Sequence, residues 1–320
     1  MKRLQRLKTS AALRDLAAEI GFGRAQLIQP LFISEGASRS EAILGMADNR
    51  TLTIDDGLAQ IDADVEAGIG QFMVFPVPAA KRERGFRVEF IATFVTRAKA
   101  RFGGAATLWV DTCLCSYTHT GHCALFDARQ QQDLPATLAE LGSLARSYVE
   151  AGADGVSPSD MNDGRVAHLR GVLDAAGFEL TPIMSYSAKF ASQFYGPFRA
   201  AAESAPQFSD RRGYQLDVRS TRDAIAASVR CAEEGADLLM VKPGMSSIDL
   251  IQPIALATRK PVGAYQVSGE FASLVLLARE GLTNFDAALL ETWHVLRRAG
   301  ASFIITYGAR RAQALGLGWS

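Results

Sequence analysis

A phrase recurs four times along this chain: a charged helical pattern closes on a glycine, and a short apolar run follows. The copies are VEAGIGQFMVFPV around Gly68, VEAGADGVSPSD around Gly152, AEEGADLLMVKPG around Gly235 and RRAGASFIITYG around Gly300. Glycine just beyond a helix end adopts the left-handed cap conformation without steric cost, and the runs behind it have the length and character of buried strands. Each copy reads as the joint of an αβ unit. Further strand-like runs lie between them at 27–32, 107–111, 180–185 and 261–266, separated by helical patterns such as 132–150, 221–234 and 286–299. Eight strands alternating with helices, joined by right-handed crossovers, is the count of an α/β fold of the (β/α)8 TIM-barrel type. An open doubly wound sheet is the alternative, but no G-x-G-x-x-G phosphate loop follows the first strand.

Such a barrel needs about 250 residues, and the chain has 320. The surplus fits an N-terminal arm, 1–24, ahead of a catalytic barrel, 25–320, that carries two long loops at 113–133 and 185–214, the second a lid. With 34 basic and 34 acidic side chains the net charge is zero, which argues against a nucleic-acid partner, since affinity for a polyanion needs unbalanced Lys and Arg. The N-terminus is charged throughout, and the longest apolar run, 271–278, falls far short of the ~20 residues of a spanning helix. A cytoplasmic protein with a small-molecule partner and no membrane partner is expected. Of four cysteines, Cys113, Cys115 and Cys123 lie within one loop while Cys231 sits mid-helix as a small buried residue. In a reducing compartment the three point to metal rather than to disulfides.

Reactive groups of a barrel sit at the C-terminal ends of its strands. Those ends hold Asp111, the run 157–160, Ser185 with Lys189, Lys242, Gln266 with Ser268, and Tyr307. Lys242 directly follows the apolar run 238–241, so its ammonium enters a dehydrated mouth where the neutral amine is favoured and an imine with a ketone can form. Lys189, four residues beyond Ser185, is a second cation that would depress both pKa values. The loop DTCLCSYTHTGHC spaces its thiols C-x-C-x7-C, enough for a borderline-soft ion such as zinc with one position left open for water or substrate. His119 and His122 are either further ligands or, more ordinarily, hydrogen-bonding groups behind the metal. In the second loop Arg199 and Arg211 can clamp a substrate carboxylate while Arg212 reads as a solvated charge; Ser268 and Tyr307 offer neutral donors to another carboxylate.

The phrases LIQPLFISEG, DTCLCSYTHTGHC, GADGVSPSDMNDGRV, IMSYSAKFASQFYGPFR, YQLD, EGADLLMVKPGM, AYQVSGE and ITY together closely resemble the porphobilinogen synthase (5-aminolevulinate dehydratase) family, zinc-dependent branch. The resemblance runs from about Leu27 to Tyr307 in the family's order. It implies a TIM barrel with an N-terminal arm, a homo-octamer, and an enzyme, a lyase of tetrapyrrole (haem) biosynthesis, that condenses two 5-aminolevulinate molecules into porphobilinogen. It makes Lys242 the imine-forming lysine for the first substrate, with Ser268 and Tyr307 on its carboxylate, and Lys189 that for the second, with Arg199, Arg211 and Gln215 on its carboxylate. Cys113, Cys115 and Cys123 match the zinc ligands; Asp111, Ser159, Phe198 and Tyr265 match residues lining the pocket.

The periphery departs from that pattern. Ala227 stands where many bacterial relatives have the glutamate of an allosteric magnesium site, AKRERG replaces an acidic segment after the second strand, and the arm, which keeps Arg3 and Arg6, lacks the family's dense arginine cluster. Allosteric Mg2+ is therefore expected to be absent. The competing readings are a divergent paralogue or another lysine Schiff-base barrel lyase acting on a related keto acid, and a catalytically silent zinc-binding scaffold.

Overall fold

The computed structural model describes residues 5–319. Its frame is a ring of eight parallel strands: β1 (Leu27–Ser34), β2 (Gln71–Val77), β3 (Thr107–Thr112), β4 (Gly155–Pro158), β5 (Met184–Lys189), β6 (Leu238–Lys242), β7 (Val262–Gln266) and β8 (Ile304–Thr306). Leu27 lies opposite Ile304, joining the first strand to the last. The ring closes between β4 and β5 through a bridge of Val156 with Ile183, and Ser157 Oγ donates to the Met184 carbonyl at 2.8 Å. The expected (β/α)8 barrel is thus the observed fold. A small hairpin of Glu41–Ala42 with Arg50–Leu52 sits on β1 outside the ring.

The four repeated joints form as their glycines predict, with φ of +79° at Gly68, +103° at Gly152, +104° at Gly235 and +101° at Gly300. A side chain would be strained at each, so the glycines stop the helices and release the chain into the next strand. Helices Ile54–Glu66, Leu134–Glu150 and Phe285–Arg298 begin on Thr53, Asp133 and Asn284, whose side chains accept an otherwise unpaired backbone N–H of the first turn. Their apolar faces pack on strands that are buried on both sides, as in β2 and β6.

One expected strand is displaced. The run 180–185 reads as a strand, yet Leu180 is 96% exposed and Thr181 N–H turns back onto the Phe178 carbonyl at 3.1 Å. Pro182 has no N–H to give a ladder, so pairing with β6 starts at Met184. The shift carries Lys189 from a loop to the last position of β5. Beyond it the expected lid carries a turn at Gln193–Tyr195 and the helix Gly196–Ala201. Ahead of β1, the turn Arg6–Lys8 and the helix Ala11–Leu16 bury no residue; Arg3 lies outside the described residues. Among the described residues no helix is long and apolar enough to cross a membrane.

Candidate active site

Register brings the two lysines together, because Lys189 ends β5 directly opposite Lys242 at the end of β6. Both are buried, at 4% and 3% exposure. Lys242 Nζ is enclosed by rings, with centroids at 4.1 Å for Tyr265, 4.8 Å for Tyr186, 4.9 Å for Phe198 and 5.4 Å for Tyr195. Burial first, and the Lys189 cation second, hold its pKa well below the ordinary lysine value, with Asp111 opposing. Lys189 Nζ donates to the Ser159 carbonyl in the loop after β4. Asp111, on β3, has its carboxyl raised to about 7 by burial and then by Cys115, and its Oδ1 has no hydrogen-bond partner.

Beside the lysines, the Sγ atoms of Cys113, Cys115 and Cys123 all lie within 4.8 Å of one another, and none is in a disulfide. Hydrogen bonds from Cys113 and Cys123 hold the Cys115 thiol well below its ordinary pKa, while burial drives Cys113 up. One thiolate braced by two thiols in a buried triad is a donor set that suits a borderline-soft cation. The histidines do not join it. His119 is exposed, and His122 places Nε2 2.9 Å from the Phe208 carbonyl and Nδ1 3.0 Å from the Tyr214 hydroxyl. Of the two readings of His122, the ordinary one of a hydrogen-bonding group fits these contacts.

The lid brings its polar side chains to a cavity of about 340 Å3 lined by Ser192, Gln193, Arg199, Arg211, Arg212 and Gln215, among others. Several polar atoms here are buried without partners: both side-chain atoms of Gln215, Nε of Arg199 and Nε of Arg211. Buried polar groups are almost always satisfied, and the donors of this unpaired set, Gln215 Nε2 and the two Nε atoms, have the chemistry to meet an anionic ligand. Arg212 is exposed beside Asp210, as a solvated charge should be. Deeper in the barrel Tyr265 and Tyr307 share a hydrogen bond between hydroxyls at 2.8 Å. Ser268 Oγ accepts from Phe198 N at 3.0 Å and donates to the Phe194 carbonyl at 3.3 Å, so both partners belong to lid backbone. Phe198 in turn packs on Phe32 and Phe75.

Two strand-end candidates face away from the site. Gln266 Oε1 accepts from Thr306 and its Nε2 donates to Thr292, on the outer helix Phe285–Arg298. Ser185 meets the guanidinium of Arg165. Their neighbours Tyr186 and Tyr265 face Lys242, so alternation turns both outward, and it is the irregularity of β5 between Ser185 and Ala188 that parts Ser185 from Lys189, four residues on. Sequence reasoning also missed Asn162, which donates to the Cys123 carbonyl at 2.9 Å and to Asp160 at 2.6 Å, and Tyr214, whose hydroxyl accepts from Cys123 N at 3.1 Å. Neither carries a local signal, since each acts across a long sequence separation.

Fold and site together define the class, a (β/α)8-barrel enzyme with amines and thiols gathered at the C-terminal mouth. A family model described as Delta-aminolevulinic acid dehydratase matches residues 1–315. The chain is 38% identical over 312 residues to the Delta-aminolevulinic acid dehydratase of Halalkalibacterium halodurans, covering 97% of this chain and 95% of that one. It is 40% identical over 323 residues to that of Synechococcus elongatus, covering 97% of each. The crystal structure of the Toxoplasma gondii delta-aminolevulinic acid dehydratase (porphobilinogen synthase) in complex with the reaction product porphobilinogen superposes with a TM-score of 0.92 at 34% identity, over 98% of this chain and 91% of that one. This chain belongs to the delta-aminolevulinic acid dehydratase family.

Proposed function

We propose that the chain is a porphobilinogen synthase that joins two molecules of 5-aminolevulinate, with loss of water, through imines on Lys242 and Lys189. The observation that carries this reading is the register pairing of the two lysines, which sets two amines side by side at the mouth of a family barrel. Lys242, kept neutral by its aromatic cage, attacks the ketone of the first substrate; water leaves and the imine becomes an electron sink that acidifies the adjacent carbon. Lys189 holds the second substrate in the same way, with Arg199, Arg211 and Gln215 on its carboxylate. Ser268 and Tyr307 take the first substrate's carboxylate, and Asp111, Ser159, Phe198 and Tyr265 line the space between. Holding both substrates on neighbouring strands turns the carbon–carbon step into an intramolecular one. The enamine carbon formed from one imine attacks the imine carbon of the other substrate, the amine adduct so formed eliminates its lysine, and the free amine of the first substrate displaces the remaining lysine as it closes the ring, so that both enzyme amines are released.

Cys113, Cys115 and Cys123 are proposed to hold zinc, which supplies a Lewis acid beside the second substrate. A homo-octamer and a cytoplasmic location complete the reading, together with the division into an arm, 1–24, and a barrel, 25–320. The test is incubation of the pure protein with 5-aminolevulinate and detection of a pyrrole product. Chelation is expected to abolish activity and zinc to restore it, with Cys115→Ala weakly active or inactive at any zinc level. A keto-acid product without a pyrrole would point to a paralogous lyase, and full activity in metal-free protein would remove the thiols from the reaction.

A further inference from the structure

The thiol loop and the lid share a continuous seam. Gln207 N donates to the Thr120 carbonyl at 2.9 Å, and Arg211 Nη2 donates to the Gly121 carbonyl at 2.7 Å. Gly121 has φ of +67°, and a Cβ built on it would lie 2.2 Å from the Ala205 carbonyl oxygen, so the two backbones meet where only glycine fits. Next to it His122 Nε2 must donate to the Phe208 carbonyl, which makes Nδ1 an acceptor in the neutral ring. Tyr214 O–H therefore donates to Nδ1 while its oxygen accepts from Cys123 N–H. Tyr214 packs on the three cysteines, and its neighbour Gln215 and nearby Arg211 belong to the carboxylate clamp.

We propose that the lid and the thiol loop move as one body, so that metal occupancy and closure of the Arg211–Gln215 clamp form one coupled equilibrium with Tyr214 as its positioning residue. The inference rests on the reading of the cysteines as a metal site and of the clamp as a carboxylate site. A metal that fixes Cys123 fixes the N–H bonded to Tyr214, and through it the backbone that carries Gln215. A carboxylate that orders Arg211 orders the Gly121 carbonyl and the loop leading to Cys123. The coupling is reciprocal by thermodynamic necessity.

Cobalt, read by its thiolate charge-transfer absorption, and 4-oxopentanoate, the substrate skeleton without the amine that could reach the metal, are the probes, the keto acid being titrated after one equivalent has been fixed on Lys242 with borohydride so that the clamp is the site read. In the native chain each is expected to tighten the other by the same factor, about fivefold or more. Tyr214→Phe keeps the ring and loses both hydrogen bonds; it is expected to weaken cobalt binding about tenfold and to bring the coupling factor close to one, with far-UV circular dichroism unchanged. Gly121→Ala, which breaks the seam elsewhere, is expected to lower the coupling factor likewise. Equal affinities with and without the second probe in the native chain, or undiminished coupling in both variants, would overturn the proposal while leaving the metal reading intact. A native chain that takes up no cobalt overturns both.

Discussion

Lys242 combines two demands that oppose each other. Reactivity asks for a neutral amine, and neutrality is obtained by burying the amine among Tyr186, Tyr195, Phe198 and Tyr265 beside a second cation. The folded state therefore binds a proton at this site less readily than the unfolded chain does. At neutral pH, where an unfolded lysine is protonated, that difference costs stability, and the cost vanishes only above the ordinary lysine range near 10.4. Lys242→Met is accordingly expected to abolish pyrrole formation while raising Tm by about 1–2 °C, roughly 1 kcal/mol for a chain of this size. Calorimetry and the pyrrole assay on the same preparation check both halves. The same shift sets the pH dependence of labelling. With limiting 5-aminolevulinate and borohydride, the adduct on the Lys242 peptide is expected to fall as pH drops through the depressed pKa, whereas an ordinary lysine would already be unreactive at neutrality. A label confined to Lys189 would reverse the order of imine formation.

At the scale of elements, the loop after β6 is held by a carboxylate from the next unit. Glu270, in the first turn of the helix Ser268–Arg279, accepts from Val267 N at 2.9 Å, Met245 N at 2.9 Å and Ser246 N at 3.2 Å. It thus caps its own helix and fixes the segment that follows Lys242. Glu270→Ala orphans these donors and is expected to cost about 2 kcal/mol, seen as a lowered denaturation midpoint, while Glu270→Gln, which keeps one acceptor, costs less. Burial outweighs the three donors and raises the Glu270 pKa to about 7. A raised carboxyl contributes stability that is present below the ordinary range near 4.5 and lost as pH rises through about 7. Glu270→Gln has no such loss, so its deficit relative to the native chain is expected to shrink between pH 5 and pH 8. None of this is legible in the sequence, where Glu270 is one acidic residue after a strand. The sequence makes visible what repeats or clusters locally: the glycines at 68, 152, 235 and 300, the thiols of one loop, and a lysine behind an apolar run. It hides what depends on parity or distance. The start of β5 after Pro182, the outward turn of Gln266 and Ser185, and the link of His122 and Tyr214 across the lid follow from pairing that no local pattern encodes.

For the whole molecule the open matter is how the barrel's outer surface is regulated. The helix Thr221–Glu233 carries Ala227, a methyl group where the resemblance drawn from the sequence leads one to expect, in many bacterial relatives, a carboxylate for magnesium. Asp163 and Glu234 nearby are already engaged by Arg230, whose Nη1 lies 2.6 Å from Asp163 and whose Nε lies 3.5 Å from Glu234, and Asp223, exposed one turn before Ala227, offers magnesium a single carboxylate by itself. Glu234 also accepts from Ala167 N at 3.4 Å, at the start of the helix after β4. Magnesium demands oxygen ligands in near-octahedral array and gives up its water reluctantly, so it would have to displace a guanidinium from these oxygens to enter. Arg230 itself ties the start of the helix after β4 to the helix after β5 through these two carboxylates. Activity and assembly are therefore expected to be independent of magnesium once zinc is supplied. Titrating magnesium into zinc-loaded, otherwise magnesium-free protein, with initial rate and light-scattering mass read in parallel, is the direct check. Flat responses in both are the expected result. A saturable several-fold rise in rate, or growth of the assembly on adding the ion, would mean that Asp163 or Glu234 leaves Arg230 for the metal, and Arg230→Ala would then strengthen the response by freeing both carboxylates.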